Sequence, residues 1–212
     1  MGNKNHKDYL AKTFLEELNY KIWTTKGSRF NANKRLLKIY RYSNLANSML
    51  SVYLIAIGLL SVYNLYSKST IDQNLLAYAI TCLSILLLVF GQIENSKNYQ
   101  LKAKEFHSCG IELSKTYNKL RIFKTLKENP TNQEKESFAQ EISEEYESIL
   151  KKFDNHEPID FSMFKTINRK YFELNQIDVL MIKIRYLINT QLIFQLMIFL
   201  PPFLIGYILF KV

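Results

Sequence analysis

The sequence predicts an all-α fold: an integral membrane helical protein with a long transmembrane-to-cytoplasmic helical hairpin or bundle. Three observations carry this. Charge vanishes over 26 residues between Arg41 and Lys68, over 21 between Asp72 and Glu94, and over 25 between Arg185 and Lys211. Outside those stretches apolar residues recur at spacings of three and four, the period of a helix face. No run alternates in the period of two that marks a strand.

Each uncharged stretch is long enough to span, because a hydrocarbon core of roughly 30 Å takes about 20 helical residues. Core helices of soluble proteins rarely run that far without a charge. The averages hide this. The chain has 212 residues, 48% hydrophobic and 22% charged, with a net charge of +9. Mean hydropathy is −0.12. These values exclude a disordered chain and a fully embedded transporter. The positive balance points to anionic lipid or nucleic acid.

Residues 1–43 form a basic, amphipathic N-terminal arm. Leu10, Phe14, Leu15, Leu18 and Ile22 share one helix face, closed by Trp23 as an interfacial aromatic. Gly27 is expected to break this arm into two short helices. Lys26, Arg29, Lys34, Arg35, Lys38 and Arg41 are expected to contact anionic lipid or a partner, the last four among headgroups at about 1 kcal/mol each.

Residues 44–94 form a hairpin of two spans, Leu45 to Tyr66 and Leu75 to Ile93, with a short link from Ser67 to Asn74. Asn47, Ser51 and Ser61 mark one face of the first span, and Thr81 and Ser84 one face of the second. Polar groups in lipid face protein or a water path. Lining a pore and packing helix against helix are both open readings of them.

Residues 95–185 form a cytoplasmic helical segment. Tyr99, Ala103, Phe106, Gly110, Leu113, Tyr117 and Leu120 make a heptad seam, which prolongs that of the second span into one helix of about 50 residues. Asn129-Pro130-Thr131-Asn132 ends it. The next helix buries Phe138, Ile142, Tyr146, Ile149 and Phe153. After the turn Asn155-His156-Glu157-Pro158, one more helical face carries Phe164, Ile167, Tyr171 and Leu174.

Residues 186–212 form a third hydrophobic helix, kinked by Pro201-Pro202. Gln191, Gln195 and Pro202 join the candidate pore or packing residues. It either spans the bilayer or lies in the interface.

Lys and Arg set the orientation. Residues 1–44 hold ten of them against three acids, and the stretch from Glu94 to Arg185 holds sixteen. The positive-inside rule then makes the N-terminus and the central segment cytoplasmic.

No reactive constellation is visible. His6, His107 and His156 lack metal-ligand spacing. Cys82 and Cys109 lack a redox or zinc pattern. Thr25-Lys26-Gly27-Ser28 lacks the upstream glycine of a phosphate loop. Catalytic residues, metals and cofactors are not expected.

Three segments carry a family resemblance. They are Lys26-Gly27-Ser28-Arg29-Phe30-Asn31-Ala32-Asn33-Lys34-Arg35-Leu36, the run Asn95-Ser96-Lys97-Asn98-Tyr99-Gln100-Leu101-Lys102-Ala103, and His107-Ser108-Cys109-Gly110-Ile111-Glu112-Leu113. Together they resemble the SLATT domain, a bacterial family named for two membrane spans and an association with nucleotide-based defence systems. Pro158 to Leu174 also resembles the C-terminal part of one SLATT subfamily. The resemblance implies an inner-membrane effector of anti-phage, abortive-infection immunity that oligomerises and opens a depolarising pore. It implies a nucleotide synthase or a reverse transcriptase as operon partner, and it brings no catalytic residue. The third hydrophobic stretch departs from a strict two-span pattern. The alternative is a membrane-anchored scaffold that recruits such a polymerase or nucleic acid.

Overall fold

The computed structural model describes residues 13–62 and 73–211, with the side chains at 60–62, 73, 75 and 204–211 outside that description. Most of the expected link between the first two spans, 67–72, and the side chain of Ser61 therefore lie outside the described residues. The elements are α1 (Phe14–Val62), α2 (Gln73–Ser96), α3 (Tyr99–Leu126), α4 (Asn132–Lys152), α5 (Pro158–Ile167), α6 (Gln176–Leu187), a π-helical turn (Ile188–Leu192) and α7 (Ile193–Lys211). Among the described residues there is no strand. The chain divides into two compact units, Met1–Leu37 with Gln100–Leu187, and Lys38–Tyr99 with Ile188–Val212.

Three expectations about local structure are corrected. Gly27 does not break the arm: α1 is one helix of 49 residues that runs straight through it. The glycine is there for contact, since a Cβ at Gly27 would stand 2.1 Å from the Phe164 ring. Next, the helix expected to run unbroken from the second span into the seam is interrupted: α2 ends at Ser96 and α3 begins at Tyr99. The backbone turns at Lys97-Asn98, with Asn98 at φ 49°, a left-handed conformation that asparagine tolerates better than most residues. Lys97 and Asn98 close the turn by donating N–H bonds of 3.3 Å to Glu94 and Asn95. Finally, Tyr171 and Leu174 do not share a helix face with Phe164. α5 stops at Ile167, and Phe172 is the buried residue of the connection that follows.

In the first unit the period of the sequence becomes a core. Ala103, Phe106, Gly110, Leu113 and Leu120 of α3 are buried. Leu18, Ile22, Leu120 and Ile142 cluster, joined by Tyr117, Phe138 and Tyr146. Cys109, Leu113 and Ile149 form a second cluster with Tyr146 and Phe153. α4 begins with a capping box, in which Thr131 accepts from the Glu134 N–H and the Glu134 carboxylate accepts from the Thr131 N–H at 2.8 Å. That arrangement satisfies donors a helix start otherwise leaves open.

In the second unit two stretches are long and apolar enough to cross a membrane, among the described residues: one beginning at Leu76 and extending to Leu126, whose apolar part is α2, and Gln176–Phe203, whose later part lies in this unit. No part of the apolar window of the first is buried. Leu83, Ile85, Leu86, Leu88, Val89 and Ile93 all stand exposed, which a soluble core helix would not allow. The expected first span, Leu45 to Tyr66, ends outside the described residues.

Replacing Gly27 by Ala should overpack the Phe164 contact and lower stability by roughly 1–3 kcal/mol. Gly58→Ala, where a Cβ meets open space, should leave the thermal midpoint in detergent nearly unchanged. Equal midpoints for the two variants would remove the contact as the reason for the glycine.

Candidate functional site

Two sites deserve description, one in each unit. The first is built by the segment from Lys26 to Leu36 on α1. Arg35 is 5% exposed, and its guanidinium holds the wholly buried Asp160 through Nε at 2.8 Å and Nη2 at 3.1 Å. A third nitrogen, Nη1, lies 3.1 Å from Glu157. Asp160 also accepts from the Glu157 N–H at 3.1 Å, so one carboxylate both caps α5 and anchors it to α1. Asn31 donates to the Asp160 carbonyl at 3.2 Å, and Asn33 to the Ala103 carbonyl at 2.8 Å. Phe30 lies against Gly110, where a Cβ would come within 2.8 Å of the ring.

Arg29 takes a position in the core. It is 2% exposed, donates to the Asp154 carbonyl and to Asn155, and stacks over the Phe106 ring at 5.5 Å. Its Nε and the Nδ1 of His156 are buried without a hydrogen-bond partner. Burial first, and then the Arg29 charge, push His156 below the ordinary histidine range. Lys26 lies over the Tyr117 ring at 4.0 Å. Trp23 packs edge-on to Phe164 at 4.8 Å and Tyr171 at 5.1 Å. Of the basic residues expected at anionic lipid or a partner, Arg29 and Arg35 are therefore turned into protein, while Lys34, Lys38 and Arg41 are exposed.

The second site lies between α1 and α2. Here an open cleft of about 430 Å³ is lined by Asn47, Ser51, Ser84, Gly91, Gln92 and Asn95, together with four aliphatic residues. Asn47 faces Gly91, and its Oδ1 is buried without a partner. One turn along, Ser43 donates to the buried Glu94 at 2.9 Å, and Lys97 pairs with the same carboxylate. Ser51, Thr81 and Ser84 spend their hydroxyl protons on carbonyls of their own helices, Asn47, Ala77 and Ile80. Thr81 does not line the cleft. Gln191 is buried and donates to Thr190 at 3.4 Å, Gln195 is half-buried, and Pro202 is exposed.

One of the two prolines has a local solution. Pro202 has no N–H to give the Ile198 carbonyl, four residues back. The Tyr53 hydroxyl of α1 donates to that carbonyl at 2.8 Å.

Sequence reasoning missed Asp160, Glu157, Glu94, Tyr53 and the contact role of Gly27. Two of these had a local signal. Glu157-Pro158 followed by Asp160 puts proline at the first helical position and an acid at the third, the usual start of a helix. The cross-helix pairings had none. Among the described residues no group of His, Cys, Asp and Glu stands close enough to hold a metal.

Residues 11–208 match the protein family described as SMODS and SLOG-associating 2TM effector domain family 5, SLATT_5. No curated protein and no solved structure matches the chain.

Removing one partner of a buried pair strands the other charge, at a cost of about 3–5 kcal/mol. Asp160→Asn should accordingly lower the thermal midpoint far more than Glu157→Gln, whose side chain is 62% exposed. Glu134 yields a pH test. Its bonds with Lys127 and Thr131 hold its carboxyl down at about 2, against an ordinary 4.5. The folded state thus keeps the ionised form more tightly than the unfolded chain. That contribution is complete above about pH 4.5 and is lost as pH falls towards 2. The stability gap between the parent and Glu134→Gln should close over that window in a pH series of unfolding curves.

Proposed function

Since the chain belongs to the SLATT family of two-transmembrane effector domains, in its fifth subdivision, we propose that it is a membrane effector of anti-phage defence that oligomerises into a pore when triggered. The pore would depolarise the inner membrane of an infected bacterium and so abort the infection. The N-terminus and the central helical segment face the cytoplasm in this reading, where a nucleotide synthase or a reverse transcriptase from the same operon supplies the trigger.

One observation supports pore formation above the others: the open cleft between α1 and α2, whose mainly apolar wall carries Asn47, Ser51, Ser84, Gln92 and Asn95. A carboxamide oxygen with no partner is costly in hydrocarbon. In a lone copy the cleft holding Asn47, Gln92 and Asn95 would face lipid. In a ring of copies it faces water or a neighbour's polar groups. Activation is then a shift between a closed and an open assembly, driven by a trigger that binds the open form better. No step calls for catalysis, a metal or a cofactor. The scaffold reading leaned on a broad basic surface, and Arg29 and Arg35 are spent inside the protein.

The test is to induce the chain with its operon partners, trigger the system and follow membrane potential with a voltage-sensitive dye. Depolarisation and growth arrest are expected. Asn47→Leu should slow depolarisation at equal membrane abundance, and Asn47→Ser should retain most of it. A triggered cell that keeps both its potential and its growth would remove the pore from the account.

A further inference from the structure

α6 has an outer face that nothing in its unit covers. No residue of α6 is buried, and Ile177, Leu180, Met181, Ile184 and Leu187 are between 40% and 67% exposed. Their spacings of three, one, three and three put all five on one stripe of the helix. The opposite face, with Val179, Ile182 and Tyr186, is half-buried, and α6 packs beside α5.

Two of the three charges beside the stripe are cations. Lys183 and Arg185 are both exposed, and each lies about 100° round the helix from Ile184, on opposite flanks. Asp178, the only acid of α6, is occupied at the helix start. It accepts from the Asn175 N–H at 3.3 Å, while its own N–H donates to the Asn175 side chain at 2.7 Å. A second copy of α6 laid parallel on this stripe would bring Lys183 and Arg185 against their own counterparts; laid antiparallel it would pair Arg185 with the single Asp178 and leave Lys183 unmatched. An anionic lipid surface matches both parts: acyl chains take the aliphatic stripe, and headgroup phosphates take the flanking cations. The Gln176–Phe203 stretch is also apolar enough to enter a membrane, so α6 opens a sequence already suited to lipid.

We propose that α6 is an interfacial helix that docks the first unit onto anionic lipid through Ile177, Leu180, Met181, Ile184 and Leu187, with Lys183 and Arg185 as the headgroup contacts. This role does not depend on pore formation, and it is read in vesicles without an ion gradient.

The experiment uses the full chain with Ile184→Cys in a background of Cys82→Ala and Cys109→Ala, carrying an environment-sensitive fluorophore. The protein is reconstituted into phosphatidylcholine vesicles with or without phosphatidylglycerol, and with or without nitroxide-bearing lipid. Blue-shifted emission, quenched by nitroxide lipid and dependent on phosphatidylglycerol, is expected. Lys183→Gln and Arg185→Gln should each lower the docked-to-undocked ratio about fivefold. Lys183→Arg and Arg185→Lys should restore it with the helical content unchanged. Water-like emission in both vesicles would overturn the proposal. So would lipid quenching indifferent to phosphatidylglycerol, or a dry signal that nitroxide lipid leaves alone and a labelled second copy quenches.

Discussion

The Arg35–Asp160 pair is the constraint on which the first unit depends. A buried carboxylate is tolerable only when its lone pairs are taken. Asp160 meets that condition with two nitrogens of one guanidinium and the N–H that opens α5. The position of α5 against α1 follows from it. Once α5 is anchored there, the Phe164 ring lies where Gly27 leaves room, and the Trp23 and Phe172 rings meet it edge-on. A hydrophobic pair could bind the two helices as strongly. It would not fix the register as narrowly, because a bidentate fork accepts only one alignment.

The second unit solves a different problem with the same chemistry. Its helices show aliphatic side chains outward and bring Asn47, Ser51, Ser84, Gln92 and Asn95 to one cleft. Hydroxyls there are quieted by their own helix carbonyls. Glu94 is quieted by Ser43 and Lys97. Asn47 is left with an open acceptor. The polar content of the unit is thus unevenly satisfied, and the buried Asn47 oxygen is the part left open.

What the sequence made legible was whatever has a period. The α3 seam and the α4 face were readable because burial repeats every three or four residues. The all-α class and the apolar stretches were readable from the absence of charge. Pairings across 125 residues, such as Arg35 with Asp160, have no period and left no trace. Arg35 looked like a headgroup contact because it stands just ahead of an apolar run, and charge near a span is ordinarily wet. Gly27 looked like a breaker because glycine's poor helix propensity is visible locally, whereas the ring that needs its missing side chain is not. Lys97-Asn98 was hidden by the opposite effect, since the heptad continues across the turn. Among the candidate pore residues the sequence marked polarity but not its state: Ser51 and Ser84 are satisfied within their helices, while Asn47 is not.

The Tyr53 bond to the Ile198 carbonyl bears on how such a chain reaches its membrane. A helix with two adjacent prolines enters hydrocarbon carrying acceptors it cannot satisfy alone. Here the donor belongs to a segment that is synthesised about 145 residues earlier, as the separation of Tyr53 and Ile198 requires. The donor segment thus leaves the ribosome before the helix that carries the acceptor. The acceptor that the prolines free in α7 is therefore met from within the same chain, with no second molecule required.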